Sequence, residues 1–231
     1  MRETTYNPQV FASRYGHLEL CPDCVACRCG GRTFFYWDEA GNCLPCPCRG
    51  PRQRLRITQK RFKTAEIPEK YRWKFRPDFL AQAPDGTPIV GADKLRRSLV
   101  RLVEGKEEPR QGLFLHGVPG TGKTHLACIL LNELMLHWGR PGRFINLSRS
   151  YFQRLRDTFS EDSDQHGQSY QILEELSNLP HLVLDDFGVQ RGTEWEEEVL
   201  YDLVYARYSG ERFTIVTTNE PLEEIERLSK A

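Results

Sequence analysis

No stretch of this 231-residue sequence is apolar enough to span a bilayer: the longest unbroken apolar run, Leu126 to Leu131, falls far short of the roughly 18 residues required. The first residues also lack an apolar core. Arg2, Glu3, Arg14, His17 and Glu19 interrupt them, which excludes a secretory signal and implies a cytoplasmic address. There is no excess of either charge, since 32 Lys and Arg balance 32 Asp and Glu. Apolar residues make up a modest 39% and charged residues 28%, which at this length allows one well-buried α/β domain and a small appendage.

The zero net charge conceals a strong asymmetry. Between Arg49 and Arg76 eleven Lys or Arg face only Glu66 and Glu69, and the compensating acids lie largely between Asp157 and Asp202. A basic segment of this kind points to an anionic partner, of which nucleic acid is the usual one.

Gly117-Val118-Pro119-Gly120-Thr121-Gly122-Lys123-Thr124 satisfies every fixed position of the phosphate-binding loop G-x-x-x-x-G-K-[ST]. Its flanks fit the motif as well. Leu113-Phe114-Leu115-His116 reads as a short buried strand running into the loop, and the segment from His125 to Met135 as the helix leaving it. In that setting the glycines let successive backbone N–H groups approach phosphate oxygens at a helix N-terminus. Lys123 supplies a point charge, and the Thr124 hydroxyl faces Mg²⁺. The loop, with His125 at its helical end, is therefore the expected site for ATP or ADP.

A second signal lies 62 residues beyond Lys123, where His181-Leu182-Val183-Leu184 ends in Asp185 and Asp186. An apolar strand of a parallel sheet delivers such acids to the carboxyl edge, where open α/β sheets bind ligands. Asp185 is expected to hold Mg²⁺ through water, and Asp186 to orient or deprotonate an attacking water. A third strand, Arg212 to Thr217, runs into Thr217-Thr218-Asn219, whose Asn219 amide can reach a γ-phosphate or that water without adding charge.

Seven of the eight cysteines fall between residues 21 and 48, a density that in a cytosolic chain indicates metal rather than disulfides. Cys21-x₂-Cys24 and Cys43-x₂-Cys46 are separated by 18 residues, the spacing of a zinc ribbon. Cys27, Cys29 and Cys48 are further thiols, and an iron–sulfur cluster is the rival to zinc. Thr33 to Trp37, followed by Asp38 to Gly41, suits a small β-hairpin between the knuckles. Cys128, set among Leu126, Ala127, Ile129 and Leu130, is a packing residue.

Between head and core, Arg52 to Lys63 reads as a basic helix or an extended arm. Tyr71, Trp73 and Phe75 then alternate with cations, a pattern that suits either stacking on bases or packing on the core. Asp93 to Val103 reads as an amphipathic helix with Asp93 as its N-cap. Arg143 to Leu147 is a strand, and Arg149, Arg154 and Arg156 follow on the next helix. Ser160 to Gly167 is a polar acidic loop, with His166 a surface residue. On the helix from Glu194 to Tyr208, Trp195, Val199 and Leu203 form a core stripe that ends near Arg207. Arg207 is open to two readings, a structural salt bridge or a reach toward a neighbouring subunit's nucleotide.

The segments 112–127, 182–188, 195–208 and 214–219 together resemble the AAA+ ATPases of the DnaC/DnaI helicase-loader group, with the IstB transposition ATPases as close relatives. The resemblance spans roughly residues 64 to 229. It implies a three-layer P-loop NTPase sandwich with a parallel sheet ordered 5-1-4-3-2. It also implies a cysteine-rich head over 1–50, a basic and aromatic linker over 51–77 and an ATPase core over 78–231. Lys123, Asp185, Asp186 and Asn219 become the catalytic set, Thr124 and Asp185 the Mg²⁺ ligands, and Asn219 the sensor. Asp186 stands where most of these proteins carry Glu, which suggests slow, switch-like hydrolysis. In relatives with cysteine-rich heads, Cys-Pro-x-Cys closes on Cys-x-Cys, and this implies Cys21, Cys24, Cys46 and Cys48 as zinc ligands. The implied activity is ATP-dependent loading of a hexameric replicative helicase on single-stranded DNA, with self-assembly and with Arg149, Arg154 and Arg156 near the DNA. A transposition helper ATPase acting on DNA and a zinc-dependent nucleotide-binding adaptor are the alternatives. The resemblance would continue beyond Ala231 into an arginine finger and a helical lid, so a truncated chain with weak hydrolysis of its own is expected.

Overall fold

The strands anticipated from the apolar runs assemble into one parallel sheet in the computed structural model. It describes residues 29, 33–46, 49–79, 92–147, 152, 155, 168–188 and 193–221. The chain divides into two compact units, Met1–Lys60 and Arg61–Ala231.

The first unit contains an antiparallel hairpin of β1 (Phe35–Trp37) and β2 (Cys43–Pro45), with Tyr36 opposite Leu44 and Trp37 opposite Cys43. Asp38 closes the turn: its carboxylate accepts from the Ala40 and Asn42 backbone N–H groups at 3.0 and 2.8 Å and from the Asn42 amide at 3.0 Å. Gly41 supplies the left-handed residue, at φ 81°. After Cys46 begins α1 (Arg49–Thr64), which settles the choice between helix and arm in favour of helix.

In the second unit, the end of α1 and two 3₁₀ turns, Glu69–Tyr71 and Arg76–Asp78, lead to α2 (Ala92–Val103). That helix begins at Ala92, so Asp93 sits in its first turn instead of capping it. The order continues β3 (Leu113–His116), α3 (Lys123–His137), β4 (Gly142–Asn146), α4 (Gln168–Asn178), β5 (His181–Phe187), α5 (Glu194–Ser209) and β6 (Phe213–Thr218). The sheet order is β3-β6-β5-β4 and every pairing is parallel. In the order of the P-loop strands this is 1-4-3-2, matching four of the five positions expected; a fifth strand is absent among the described residues.

Helices cover both faces. Leu126 to Met135 are all buried, because α3 packs across β4, β5 and β6 on one side while α2 and the 3₁₀ turns press on its other side. On the opposite face Ile145, Leu147, Phe152, Leu176, Leu182, Leu184, Leu200 and Leu203 form one cluster between the sheet and α4 and α5. Burial of this many aliphatic side chains, each contributing on the order of 2 kcal/mol, is the main stabilising term.

The segment expected as a linker contributes to this unit's core. Phe62, Ala65, Ile67 and Phe75 are buried. Trp73 and Phe75 meet the Phe62 ring edge-on at 5.0 and 5.9 Å, and the Ala65 carbonyl accepts from Phe144 N–H in line with the sheet. The Asn132 amide donates to the Tyr71 and Lys74 carbonyls, and Glu133 accepts from Arg76. Packing on the core, and not stacking on bases, is thus the role of Phe75.

Strand β3 departs from its expected burial. Leu113 and Leu115 are half-buried, Phe114 is 38% exposed and His116 is exposed. The reason is positional: among the described residues β3 is paired only with β6, and a groove of about 610 Å³ runs beside it, lined by Phe114, Val204 and Tyr208 among others.

Candidate nucleotide site

Three strands of a parallel sheet end side by side, so the loops after β3, β5 and β6 meet at one edge. The loop from Gly117 to Thr124 leaves β3 with φ of 150° at Gly117, 83° at Gly120 and 86° at Gly122, all in the region that disfavours a β-carbon. Gly122 then starts α3. A Cβ placed at Gly120 or Gly122 would meet no atom within 4 Å, so the positive φ of these residues, and not a steric clash, is what calls for glycine there. Val118, Pro119 and Thr121 are exposed, and the Thr121 hydroxyl braces the loop by donating to the Val118 carbonyl at 2.9 Å. Lys123 Nζ curls back to donate to the Gly117 and Val118 carbonyls at 2.7 and 2.9 Å.

His125 points elsewhere. Its ring stacks on Tyr71 at 5.4 Å, and burial, followed by the charge of Lys74, lowers its pKa. It is a neutral imidazole near pH 7.

The acid pair shows how local backbone geometry makes a site. Successive residues of a regular strand face opposite sides, yet one amide reaches both carboxylates: Asn146 Nδ2 donates to Asp185 Oδ2 at 3.2 Å and to Asp186 Oδ2 at 2.9 Å. A register shift between Leu184 and Phe187 and a left-handed Asp186, at φ 58°, turn the second acid to the side of the first. That conformation costs a non-glycine residue on the order of 1 kcal/mol. It is held in place because Asp186 N–H donates to Thr217 Oγ1 at 3.0 Å, and Thr217 Oγ1 donates in turn to Asp185 Oδ1 at 2.7 Å.

Across from this pair, Thr124 Oγ1 donates to Asp185 Oδ1 at 2.8 Å, which joins the phosphate loop to the acid strand. Asn219 Nδ2 stands 3.5 Å from Asp186 Oδ1, at the limit of a hydrogen bond. Thr124, Asp185, Asp186 and Asn219 are therefore together at one edge. Two members of the network, Asn146 and Thr217, were not singled out from sequence. Asn146 ends β4 directly after the apolar Phe144-Ile145 pair and lies beside Asp185 in register, and a polar residue at that strand end is the signal that could have found it.

The hard oxygen donors Thr124 and Asp185, joined at the helical end of the glycine-rich loop, fit a Mg²⁺–nucleotide. The cysteine set is a different matter. Cys43 is exposed and Cys46 buried, whereas Cys21, Cys24, Cys27 and Cys48 lie outside the described residues. Among the described residues no group of three or more His, Cys, Asp or Glu side chains is placed to hold a metal. Arg149, Arg154, Arg156 and His166 also lie outside the described residues.

Arg207 fits neither of its two sequence readings. Its side chain is buried, and its donors go to protein acceptors: the Leu176, Leu179 and Phe213 carbonyls and Thr214 Oγ1. Three carbonyls and a hydroxyl, not a carboxylate, hold it, so it is neither a salt bridge nor a reach toward a neighbour. Burial, with Arg212 second, pushes its pKa down to about 9, and the acceptors keep it charged near pH 7.

His181, at the opposite end of β5, is fully buried with no hydrogen-bond partner on either ring nitrogen. Glu108 lies 3.3 Å from Nε2, but Glu108 is shared with Arg140. Burial first, then Arg207 and Arg140, lower the histidine pKa from 6.5 to about 4. The unfolded chain therefore takes up a proton that the folded chain refuses, and the stability present above pH 6.5 is lost as pH falls toward 4. Urea unfolding at pH 7 and pH 4.5 should show a loss of about 2–3 kcal/mol from this group. His181→Gln should show a correspondingly smaller loss.

The comparisons with known proteins agree with this fold. A family model described as IstB-like ATP binding protein matches residues 101–229. The replicative helicase loader DnaC of Escherichia coli (strain K12) is 36% identical over 112 residues, 48% of this chain and 44% of that protein. A crystal structure of the DnaC helicase loader superposes with a TM-score of 0.57 at 27% identity, covering 71% of this chain and 89% of that one. The crystal structure of DnaI, at 24% identity, TM-score 0.51 and coverage of 67% and 80%, shares the fold. The chain spans about half the length of the curated relatives it matches. No helix among the described residues is long and apolar enough to cross a membrane. A matched family model over more than half of the chain, together with a parallel sheet in P-loop order and a fold similar to that of the DnaC helicase loader, makes this chain a member of the IstB-like ATP binding protein family.

Proposed function

We propose that the protein loads a replicative helicase, using ATP as a switch. The observation that carries this reading is the 36% identity to a replicative helicase loader. The loop from Gly117 to Thr124 binds the nucleotide phosphates through its backbone N–H groups, with Lys123 leaving the Gly117 and Val118 carbonyls to reach them. Thr124 and Asp185 hold Mg²⁺, which neutralises charge on the phosphates. Asp186 orients the attacking water and takes its proton, while Asn219, beside Asp186, responds to the γ-phosphate. The bond from Asn146 to Asp186 ties that carboxylate down, consistent with slow, assembly-dependent hydrolysis. The head engages the hexameric helicase. Its cysteines Cys21, Cys24, Cys46 and Cys48 bind zinc, with an iron–sulfur cluster as the less favoured occupant. The core and its arginines meet single-stranded DNA in a self-assembled, cytoplasmic complex. A transposition helper acting on DNA is the second reading, favoured by the family model itself.

Size-exclusion chromatography with light scattering tests the choice, mixing the protein with its host's replicative helicase in ATP, in ADP and without nucleotide. The loader reading expects a complex that forms with the helicase and responds to nucleotide. A folded, metal-loaded protein that forms no complex in any nucleotide state overturns it and favours the transposition reading.

A further inference from the structure

Two residues of β5 stand opposite one residue of β6. Leu184 is in register with Val216 and Phe187 with Thr218, so Asp185 and Asp186 together face Thr217. A bulge leaves its extra residue outside the backbone ladder, and here two threonine hydroxyls supply bonds in its place. Thr218 Oγ1 donates to the Phe187 carbonyl at 2.6 Å and fixes the strand just past the bulge. Thr217 Oγ1 accepts from Asp186 N–H at 3.0 Å and donates to Asp185 Oδ1 at 2.7 Å. Thr217 is fully buried, so water does not stand ready to replace either bond. A hydroxyl has one proton and a backbone N–H can only donate, which fixes the direction of both bonds. They run from the Asp186 peptide through Thr217 to the Asp185 carboxylate, and the charge at the end of the chain strengthens each link.

From this chain of bonds we infer that Thr217 is a positioning residue for ATP hydrolysis: its hydroxyl keeps Asp186 in the left-handed conformation that turns the second carboxylate toward the first. The inference rests on the reading of Asp186 as the acid that orients water. Without the hydroxyl, Asp186 loses the bond that offsets its φ of 58°. Relaxation to ordinary strand geometry then turns its carboxylate to the other face, away from Asn146 and Asn219. Asp185 keeps its bonds from Thr124 and Asn146, so the end of the site expected to hold metal and phosphate survives. Loss of Thr217 therefore separates turnover from binding, which a residue that merely stabilised the fold would not do.

Three measurements on the full chain test it together: single-turnover hydrolysis of labelled ATP, affinity for a fluorescent ATP analogue with Mg²⁺, and amide hydrogen exchange by NMR without any ligand. Thr217→Val has nearly the shape of the original side chain and suits a strand. It should slow hydrolysis about ten-fold or more while leaving the affinity within about three-fold. Thr217→Ser, which keeps the hydroxyl, should regain most of the rate. In the ligand-free protein, exchange at the Asp186 amide should quicken about ten-fold or more in Thr217→Val and return toward wild type in Thr217→Ser. Thr217→Ala should show the same split between rate and affinity if the valine variant fails to fold. Unchanged hydrolysis and exchange in a folded variant, or a parallel loss of rate and affinity, overturns the inference. A wild type that binds no ATP analogue, or binds it and never hydrolyses ATP, overturns the catalytic reading of the acid pair as well, and is told apart because no substitution is involved.

Discussion

Replacing Arg207 by alanine should destabilise the second unit by about 4 kcal/mol, a large part of the 5–15 kcal/mol that holds a typical domain together. The estimate rests on what the side chain leaves behind. The Leu176 carbonyl lies in the last turn of α4 and the Leu179 carbonyl just past its end, the Phe213 carbonyl begins β6, and all three lie where water has no access to replace the guanidinium. Arg207 thus joins α4, α5 and β6 at a point where three helix and strand ends would otherwise have unsatisfied acceptors. Thermal unfolding followed by circular dichroism should show the midpoint falling by on the order of 10 °C. Arg207→Lys, with a single nitrogen for four acceptors, should recover less than half of the loss. A loss below about 1 kcal/mol would show that the surrounding acceptors are satisfied in some other way. Nucleotide affinity should be nearly unchanged at temperatures where the variant is folded, because Arg207 contacts no member of the acid network.

The second large effect belongs to Asp186. Asp186→Asn should lower steady-state ATP hydrolysis by about a hundred-fold or more, since an amide cannot accept the proton of the attacking water. Binding of a fluorescent ATP analogue should stay within about three-fold, because the Thr124–Asp185 contact is untouched. Asp185→Asn should behave differently, weakening Mg²⁺-dependent binding as well. If the two variants lost binding and turnover in parallel, the separation of roles between neighbouring carboxylates would be wrong. Asn146→Ala offers a sharper probe. It removes the donor shared by both acids, and should change hydrolysis while leaving the unfolding midpoint within a few degrees.

The phosphate loop, the acid strand and the parallel order of the sheet were legible because each is written in local spacing: glycines at fixed offsets, an apolar run ending in two carboxylates, strands alternating with helices. What escaped has a common cause. Asn146 and Thr217 acquire meaning only from register across three strands, and register is a long-range property. The bulge at Asp186 is not signalled by composition, since nothing in Leu-Asp-Asp-Phe marks the second Asp as left-handed. Arg207 was misread for a different reason. A charged residue at the end of a helix is normally solvated or paired with an acid, and only the convergence of Leu176, Leu179 and Phe213 makes burial favourable. The half-exposed β3 follows from its place at the sheet's edge, which an apolar run cannot report. The aromatic run from Thr33 to Trp37 indicated a hairpin, but not which of its rings face outward.

Lys123 and its two carbonyl partners carry a consequence for ligand discrimination. The ammonium group already has two good acceptors from its own loop, so a ligand must offer at least as much to draw it away. A single phosphate with one oxygen in reach exchanges two bonds for one and gains little from the lysine. A di- or triphosphate spans the loop, presents several oxygens and replaces both carbonyls at once. The resting contact should thus act as a threshold that favours chain length of the polyphosphate over mere negative charge, and inorganic phosphate should displace a fluorescent ATP analogue from the loop poorly.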